Sequence, residues 1–91
     1  MNKKIKSEEE LKKIFKNLRQ KTKKIVLCHG TFDLLHLGHI NHLSDAKKLG
    51  DVLLVSITHN EFVNKGPGRP FFNTMQRAEA LSALDCVDYI L

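Results

Sequence analysis

The chain has 91 residues, a formal net charge of +5 and two cysteines. This length allows one domain with a modest core, and no run approaches the roughly 18 apolar residues of a membrane span. The lysine-rich N-terminus has no apolar block typical of a signal peptide, so we expect a soluble cytoplasmic protein. Cys28 and Cys86 lack CxxC spacing, which favours buried thiols over a disulfide, a metal site or a redox pair.

The positive charge is concentrated at the N-terminus. Residues 1–24 hold ten Lys or Arg against three Glu, whereas residues 25–91 hold five Lys or Arg against seven acidic residues. A nucleic-acid binder usually carries basic residues on its folded body, so this distribution makes nucleic acid an unlikely partner. We predict a basic, helical N-terminal extension over residues 1–23 and a folded domain over residues 24–91.

The first predicted helix follows a capping box formed by Ser7 and Glu10. Apolar residues continue at the spacing of one helical face, which predicts a helix over residues 8–20. The stretch KKIVLCHG then forms an apolar run closed by Gly30. It predicts a first strand over residues 24–29.

A second helix and a second strand follow. Apolar residues recur near helical spacing from Leu37 to Leu49, and Gly50 is typical of a C-terminal cap. The segment DVLLVSIT is almost continuously apolar. This pattern is typical of a strand covered on both faces in a parallel sheet, and it predicts a strand over residues 52–58.

The remaining residues predict a long loop, a third helix and a third strand. Residues 59–73 are rich in Gly, Pro and Asn, which predicts a loop, and loops of this length tend to be functional or disordered. Asn73 or Thr74 caps the third predicted helix, and CVDYIL forms the third strand. The inward side of that helix is predicted to carry apolar residues, namely Met75, Ala78, Leu81 and Leu84. Alternating strands and helices predict an α/β fold, a Rossmann-like three-layer α/β/α arrangement with a parallel sheet.

The stretch GTFDLLHLGH, residues 30–39, is the main candidate site. In open parallel sheets ligands bind beyond the carboxyl ends of the strands, and helix N-termini favour phosphate. His36 and His39 fall on one face of the first helical turn, and Gly38 leaves room for a phosphate chain to approach the backbone. Two structural alternatives are polar residues without chemistry at a helix start and, with His42, a zinc site. No further ligand is indicated for zinc, so we predict no resident metal.

GTFDLLHLGH resembles the GxFDxxHxGH signature of the nucleotidyltransferase superfamily, which includes cytidylyltransferases. The longer stretch from CHGTFD to VDYIL, about residues 25–91, is similar to the adenylyltransferase domain of ADP-heptose synthases. A bare HxGH is less specific, since class I aminoacyl-tRNA synthetases share it. The resemblance implies transfer of AMP from ATP to a sugar 1-phosphate with release of pyrophosphate, and Mg²⁺ accompanying the nucleotide. The alternatives are a CTP-dependent enzyme acting on glycerol 3-phosphate or a similar phosphorylated alcohol, and a truncated module that binds nucleotide without turnover.

The resemblance also assigns site residues. It implies catalytic roles for His36, His39 and Lys65. Asp33 is implied either to orient a histidine or to lie near the metal, and Thr31 and Phe32 to offer backbone N–H groups. The positions that it implies for binding nucleotide or phosphate are Gly30, Thr31, Phe32, Asp33, Gly38, Arg69 and Arg77.

Members of the superfamily usually continue to a Ser/Thr-rich motif that closes the nucleotide site. Because the sequence stops at Leu91 without that motif, we expect a domain truncated at its C-terminus, part of a longer protein. Family precedent also implies a homodimer.

Overall fold

Three parallel strands and three helices alternate in the computed structural model, which describes residues 3–60, 70 and 72–91. The helices within these residues are α1 (Glu8–Gln20), α2 (Leu37–Lys47) and α3 (Thr74–Ser82). The strands are β1 (Ile25–Gly30), β2 (Val52–Ile57) and β3 (Tyr89–Ile90). The element order is the one that the apolar patterns predict.

The strands form a parallel sheet in the order β1-β2-β3. The pairing of β1 with β2 runs in register from Ile25 opposite Val52 to Gly30 opposite Ile57. Both strands therefore end at the same edge of the sheet. This carboxyl edge is the place where open parallel sheets bind ligands.

Helices cover both faces of the sheet. Leu53 and Val55 of β2 belong to the main core cluster, together with Leu43 of α2 and Leu81 of α3. Leu54 points to the opposite face because side chains alternate along a strand, and it lines a cavity there together with residues of α1. The predicted three-layer α/β/α fold is confirmed.

The N-terminal residues contact the sheet. Ile5 forms a parallel bridge with Ile90 of β3. The Ile90 N–H donates to the Lys4 carbonyl, and the Ile90 carbonyl accepts from the Lys6 N–H, each at 2.9 Å. The boundary at residue 23 between an extension and a domain stays a prediction, and residues on its N-terminal side take part in strand pairing.

β3 is shorter than the six-residue stretch CVDYIL predicts. Its partner strand β2 pairs with it only at Tyr89 and Ile90. Before Tyr89, the side chain of Asp88 accepts from the Leu53 N–H at 2.7 Å and forms an ion pair with Lys47. A carboxylate thus takes the place that a strand carbonyl would hold in a longer ladder.

Three side chains that helical periodicity predicts to be buried lie outside the core, namely Leu37, Leu49 and Met75. Met75 is 55% exposed, and the prediction that it faces inward is wrong, since the buried side of α3 is formed by Arg77, Ala78 and Leu81. Leu37 and Leu49 are also exposed, because α2 starts at the former and ends before the latter. On β1, Leu27 is 62% exposed.

Within the described residues, no helix combines the length and the hydropathy that crossing a membrane requires.

The predicted capping box of α1 is present. The Ser7 N–H donates to the Glu10 carboxylate at 3.0 Å, and the Glu10 N–H donates to the Ser7 hydroxyl at 3.2 Å. The hydrogen bond from the Ser7 N–H to the carboxylate, followed by the interaction with the Ser7 side chain, lowers the pKa of Glu10. A carboxylate whose pKa is lower in the folded state stabilises the fold above its unfolded pKa, and this stabilisation is lost as pH falls.

We predict that Ser7→Ala lowers the free energy of unfolding by about 1 kcal/mol, as loss of an N-cap usually does. Glu10→Gln should lower the urea midpoint at neutral pH, and this difference from wild type should shrink as pH falls below the ordinary Glu value of 4.5. Glu9→Gln is the control: it removes a charge from the same exposed first turn without touching the capping box, so it should lower the midpoint only by the helix-dipole contribution and by less than Glu10→Gln. A Glu10→Gln deficit that stays constant down to strongly acidic pH would contradict the assignment.

Candidate functional site

The predicted site lies at the carboxyl edge of the sheet. Residues 31–36 form the loop between the end of β1 and the start of α2, and the end of β2 is adjacent. The Thr58 N–H donates to the Gly30 carbonyl at 3.0 Å, which joins the two strand ends. The GTFDLLHLGH segment therefore occupies the position that the topology predicts for a ligand site.

His36 and His39 cap the N-terminus of α2 with their imidazoles. His36 is the N-cap residue; its Nδ1 accepts from the Gly38 N–H at 3.0 Å, and Nδ1 of His39 accepts from the His36 N–H at 3.3 Å. The two ring centroids are 4.0 Å apart. An imidazole nitrogen that accepts carries no proton, so each neutral ring has its proton on Nε2. Both rings can donate to an anion through Nε2–H.

The first turn of α2 has no acidic residue. The unpaired N–H groups and the positive dipole end of a helix favour an anion. With imidazoles rather than carboxylates as caps, this favourable potential is not cancelled. The arrangement is suited to phosphate.

Gly38 makes room for the ring of His36. A Cβ at Gly38 would lie 2.8 Å from Cε1 and 3.0 Å from Nδ1 of His36. The sequence predicted that Gly38 opens a path for phosphate to the backbone. In the structure the nearest occupant of that space is the capping imidazole itself.

The buried side chain of Phe32 packs against the imidazole of His39. Phe32 is 8% exposed, and its ring meets that of His39 edge-on with centroids 5.7 Å apart. A Cβ at Gly30 would lie 2.9 Å from the Phe32 ring, so the glycine admits the aromatic side chain. Phe32 has φ of 50°, a conformation that non-glycine residues adopt rarely and that clusters at functional sites.

Asp33 and Arg77 are the two buried charged residues of the described chain, 5% and 1% exposed. The Asp33 carboxylate accepts from the Phe72 N–H at 2.9 Å. Nε–H of Arg77 donates to the Phe72 carbonyl at 3.0 Å, and its Nη1 donates to the carbonyls of Thr31 at 2.9 Å and Thr58 at 2.6 Å. The resemblance implied nucleotide binding by both residues, and the structure brings both to the loop that carries the histidines.

Two further residues of the cluster have no sequence signal. The side-chain oxygens of Asn60 and Thr74 accept from Nη2 of Arg77 at 2.8 and 3.3 Å. They lie 14 residues apart, Asn60 near the start of the predicted loop and Thr74 directly after its end, and neither residue type by itself indicates a contact with an arginine. Only the folded chain shows that they meet.

His29, the residue before the last of β1, lies in a small polar group. Its Nδ1 is hydrogen-bonded to the Ser56 hydroxyl, and its Nε2 lies 3.4 Å from the Thr58 hydroxyl. The sequence left open whether His29 fills the strand end or neighbours a ligand, and both alternatives are compatible with this position.

Lys65 and Arg69 lie outside the described residues. The roles that the resemblance implies for them stay predictions.

The described residues contain no group of three or more His, Cys, Asp or Glu side chains that could hold a metal ion. Both cysteines are free thiols, and burial raises the pKa of the Cys28 thiol. The carboxylate nearest to the histidines in sequence, Asp33, accepts from a backbone N–H. The described side chains therefore do not form a metal cage.

Comparisons with known proteins agree with this geometry. The family model described as "Cytidylyltransferase-like" matches residues 27–91. The chain is similar to the bifunctional protein HldE of Desulfatibacillum aliphaticivorans, with 47% identity over 96% of this chain and 18% of that protein. It is also similar to HldE of Campylobacter jejuni subsp. doylei, with 47% identity over 98% of this chain and 19% of that protein. The chain thus spans less than a fifth of these curated relatives.

One solved structure extends the comparison to the fold. It is a lipopolysaccharide core biosynthesis protein from Thermoplasma volcanium, with a TM-score of 0.69 and 37% sequence identity. The match covers 75% of this chain and 56% of that one. The Rossmann-like arrangement is therefore shared with a protein of related sequence.

We predict that Gly38→Ala displaces the imidazole of His36, because the new Cβ would lie 2.8 Å from its Cε1. His36 should then lose the Nε2–H tautomer that the Gly38 N–H imposes. Long-range ¹H–¹⁵N spectra of the histidines at alkaline pH would show the change. Asn41→Ala, an exposed position of the same helix, is the control, and unchanged His36 resonances in Gly38→Ala would refute the proposed packing.

Proposed function

Because the chain belongs to the cytidylyltransferase-like family, we propose that its site transfers a nucleoside monophosphate, AMP from ATP, to a sugar 1-phosphate. Pyrophosphate is the second product. The observation that carries this proposal is the pair of imidazoles that cap the start of α2, whose Nδ1 atoms accept from the backbone, so that Nε2–H is the donor of each neutral ring. Donors placed at a helix N-terminus suit a triphosphate.

The chemistry needs charge stabilisation more than a protein nucleophile. A phosphate oxygen of the acceptor attacks the α-phosphorus of the nucleotide, and the bond from that phosphorus to the bridging oxygen of the β-phosphate breaks. The leaving pyrophosphate takes the electron pair and the negative charge. His36 and His39, with ring centroids 4.0 Å apart, can donate to neighbouring phosphate oxygens and stabilise this charge.

Mg²⁺ enters this proposal as part of the nucleotide substrate. Magnesium usually keeps several waters and is held largely by substrate phosphates. The described residues offer no carboxylate cluster for it, which supports an ion carried by the triphosphate. No step is assigned to a resident metal.

The similarity to HldE and to a lipopolysaccharide core biosynthesis protein supports ATP and a sugar phosphate as the substrate pair. The description of the matching family model, "Cytidylyltransferase-like", supports CTP as the alternative nucleotide, for which the proposed acceptor is glycerol 3-phosphate or a similar phosphorylated alcohol. Lys65 and Arg69 are proposed to contact the phosphates in either case. Two of the five basic residues of residues 25–91 would then serve the anionic substrate. Location in the cytoplasm and assembly as a homodimer stay predictions.

A second candidate is a module that binds nucleotide without turnover. It is favoured by the share of the relatives' length that the chain spans, under a fifth. The two candidates share the phosphate site and differ in pyrophosphate release.

We predict that His39→Ala lowers the rate of pyrophosphate release by about 10²- to 10³-fold, the usual effect of losing one preorganised donor. The assay pairs ATP or CTP, with Mg²⁺, with sugar 1-phosphates or glycerol 3-phosphate. His42→Ala removes an exposed imidazole from the same helix and should keep the wild-type rate.

Pyrophosphate release that occurs with only one nucleotide and only one acceptor would identify the two substrates. Equal rates for His39→Ala and His42→Ala would refute the proposed role of the imidazole. Nucleotide binding without release in any pair would instead favour the non-catalytic module.

A further inference from the structure

We propose that Arg77 and Asp33 are positioning residues: they fix the loop of residues 31–36, which leads to the histidines at the start of α2, and aim the Phe32 N–H at the nucleotide, and neither contacts a phosphate itself. This inference rests on the proposed function for its activity readout. The positions that Arg77 and Asp33 impose on the loop can be measured in the protein without ligand.

The donors of Arg77 are all engaged within the protein. A guanidinium has five N–H donors, and that of Arg77 meets five acceptors: three backbone carbonyls and two side-chain oxygens. With Arg77 only 1% exposed, a phosphate could reach it only by displacing these partners. Because a buried carbonyl that loses its donor is costly, such an exchange is unfavourable.

The five acceptors come from three segments of the chain. The carbonyl of Thr31 follows β1, the carbonyl of Thr58 and the side chain of Asn60 follow β2, and Phe72 and Thr74 lead into α3. The buried guanidinium of Arg77 thus connects the three loops at the carboxyl edge of the sheet. Its partners include Asn60 and Phe72, which come before and after the interval that contains Lys65 and Arg69.

We call the hydrogen-bonded group formed by Arg77, its five acceptors and Asp33 the brace; Asp33 joins it at Phe72. The Phe72 N–H donates to Asp33 and the Phe72 carbonyl accepts from Arg77. The backbone of Phe72 is therefore held on both sides by buried side chains of opposite charge. Asp33 belongs to the GTFD segment, so the brace ties that segment to the entry of α3.

The hydrogen bond from Arg77 to the Thr31 carbonyl sets the direction of the Phe32 N–H. The two groups belong to one planar trans peptide, in which C=O and N–H point in opposite directions. With the Thr31 carbonyl turned to the buried guanidinium at 2.9 Å, the Phe32 N–H points away from it. Phe32 follows this peptide with a φ of 50° and has its ring against His39.

The first test compares Arg77→Lys with wild type in the absence of nucleotide. An ammonium has three donors on a single atom and cannot span five separated acceptors, so the Phe32 amide resonance and the His39 imidazole resonances should shift. Arg19→Lys, an exposed position on α1, is the control and should shift neither. If Arg77 contacts phosphate directly, the conserved positive charge should leave both sets of resonances unchanged and weaken only ATP binding, and this outcome would overturn the proposal.

The second test concerns Asp33 and remains informative if Arg77→Lys does not fold. Asp33→Asn keeps an oxygen that can accept from the Phe72 N–H, whereas Asp33→Ala removes it. A positioning role predicts that Asn largely preserves the His39 resonances and the rate of pyrophosphate release. Ala should shift the resonances and lower kcat by about tenfold, as expected for one lost buried hydrogen bond. If the carboxylate acts through its charge on a metal or substrate, Asn should lose as much activity as Ala.

The two readouts separate this inference from the proposed function. Absence of pyrophosphate release in the wild-type chain would count against turnover and would leave the spectra of unliganded protein as the deciding measurement. Shifted Phe32 and His39 resonances in Arg77→Lys and Asp33→Ala, with wild-type resonances in Asp33→Asn, would support the brace in that case as well. Unshifted resonances in both disruptive variants would refute it.

Discussion

The carboxyl edge of the sheet depends on one buried cation. Removing a guanidinium from water is expensive unless its donors find partners, and Arg77 finds them in three segments that are far apart in sequence. Each of these segments is irregular backbone with carbonyls that the sheet cannot satisfy. The fold can therefore hold irregular loops in fixed positions at the edge where a ligand would bind. The free-energy cost of burying the Arg77 charge is compensated by its hydrogen bonds to the backbone groups of these loops.

The start of α2 shows why histidine suits this helix cap. Ser, Thr, Asn and Asp are the common N-caps, and Asp would place a negative charge at the proposed phosphate site. An imidazole accepts the helix N–H through Nδ1 and has a second nitrogen that can donate. The same side chain thus caps the start of the helix and would also serve the proposed phosphate site, and the small residues Gly30 and Gly38 provide the space that the aromatic and imidazole rings need.

The sequence allowed prediction of the elements because their signals are local. The capping box of α1 and the continuous apolar run of β2 specify their structures with residues that are neighbours in the chain. Met75 was misplaced because periodicity treats an arginine as a surface residue, whereas Arg77 occupies the buried side of α3. Likewise, a motif can identify His36 and His39, but nothing local signals that Asn60 and Thr74 converge on a guanidinium, since those contacts exist only once three loops meet.

The pairing of Ile5 with Ile90 occupies one edge of the sheet and leaves the other edge for a further strand. A strand edge with unpaired N–H and C=O groups invites another strand, and at β3 the outward groups of Ile90 are already taken by Lys4 and Lys6. Among the described residues β1 is the strand at the other edge, and its Leu27 is exposed. An added strand would therefore join beside β1 and lie next to the loop that leads to His36. Growth of the sheet at this edge would thus place new side chains beside the candidate site.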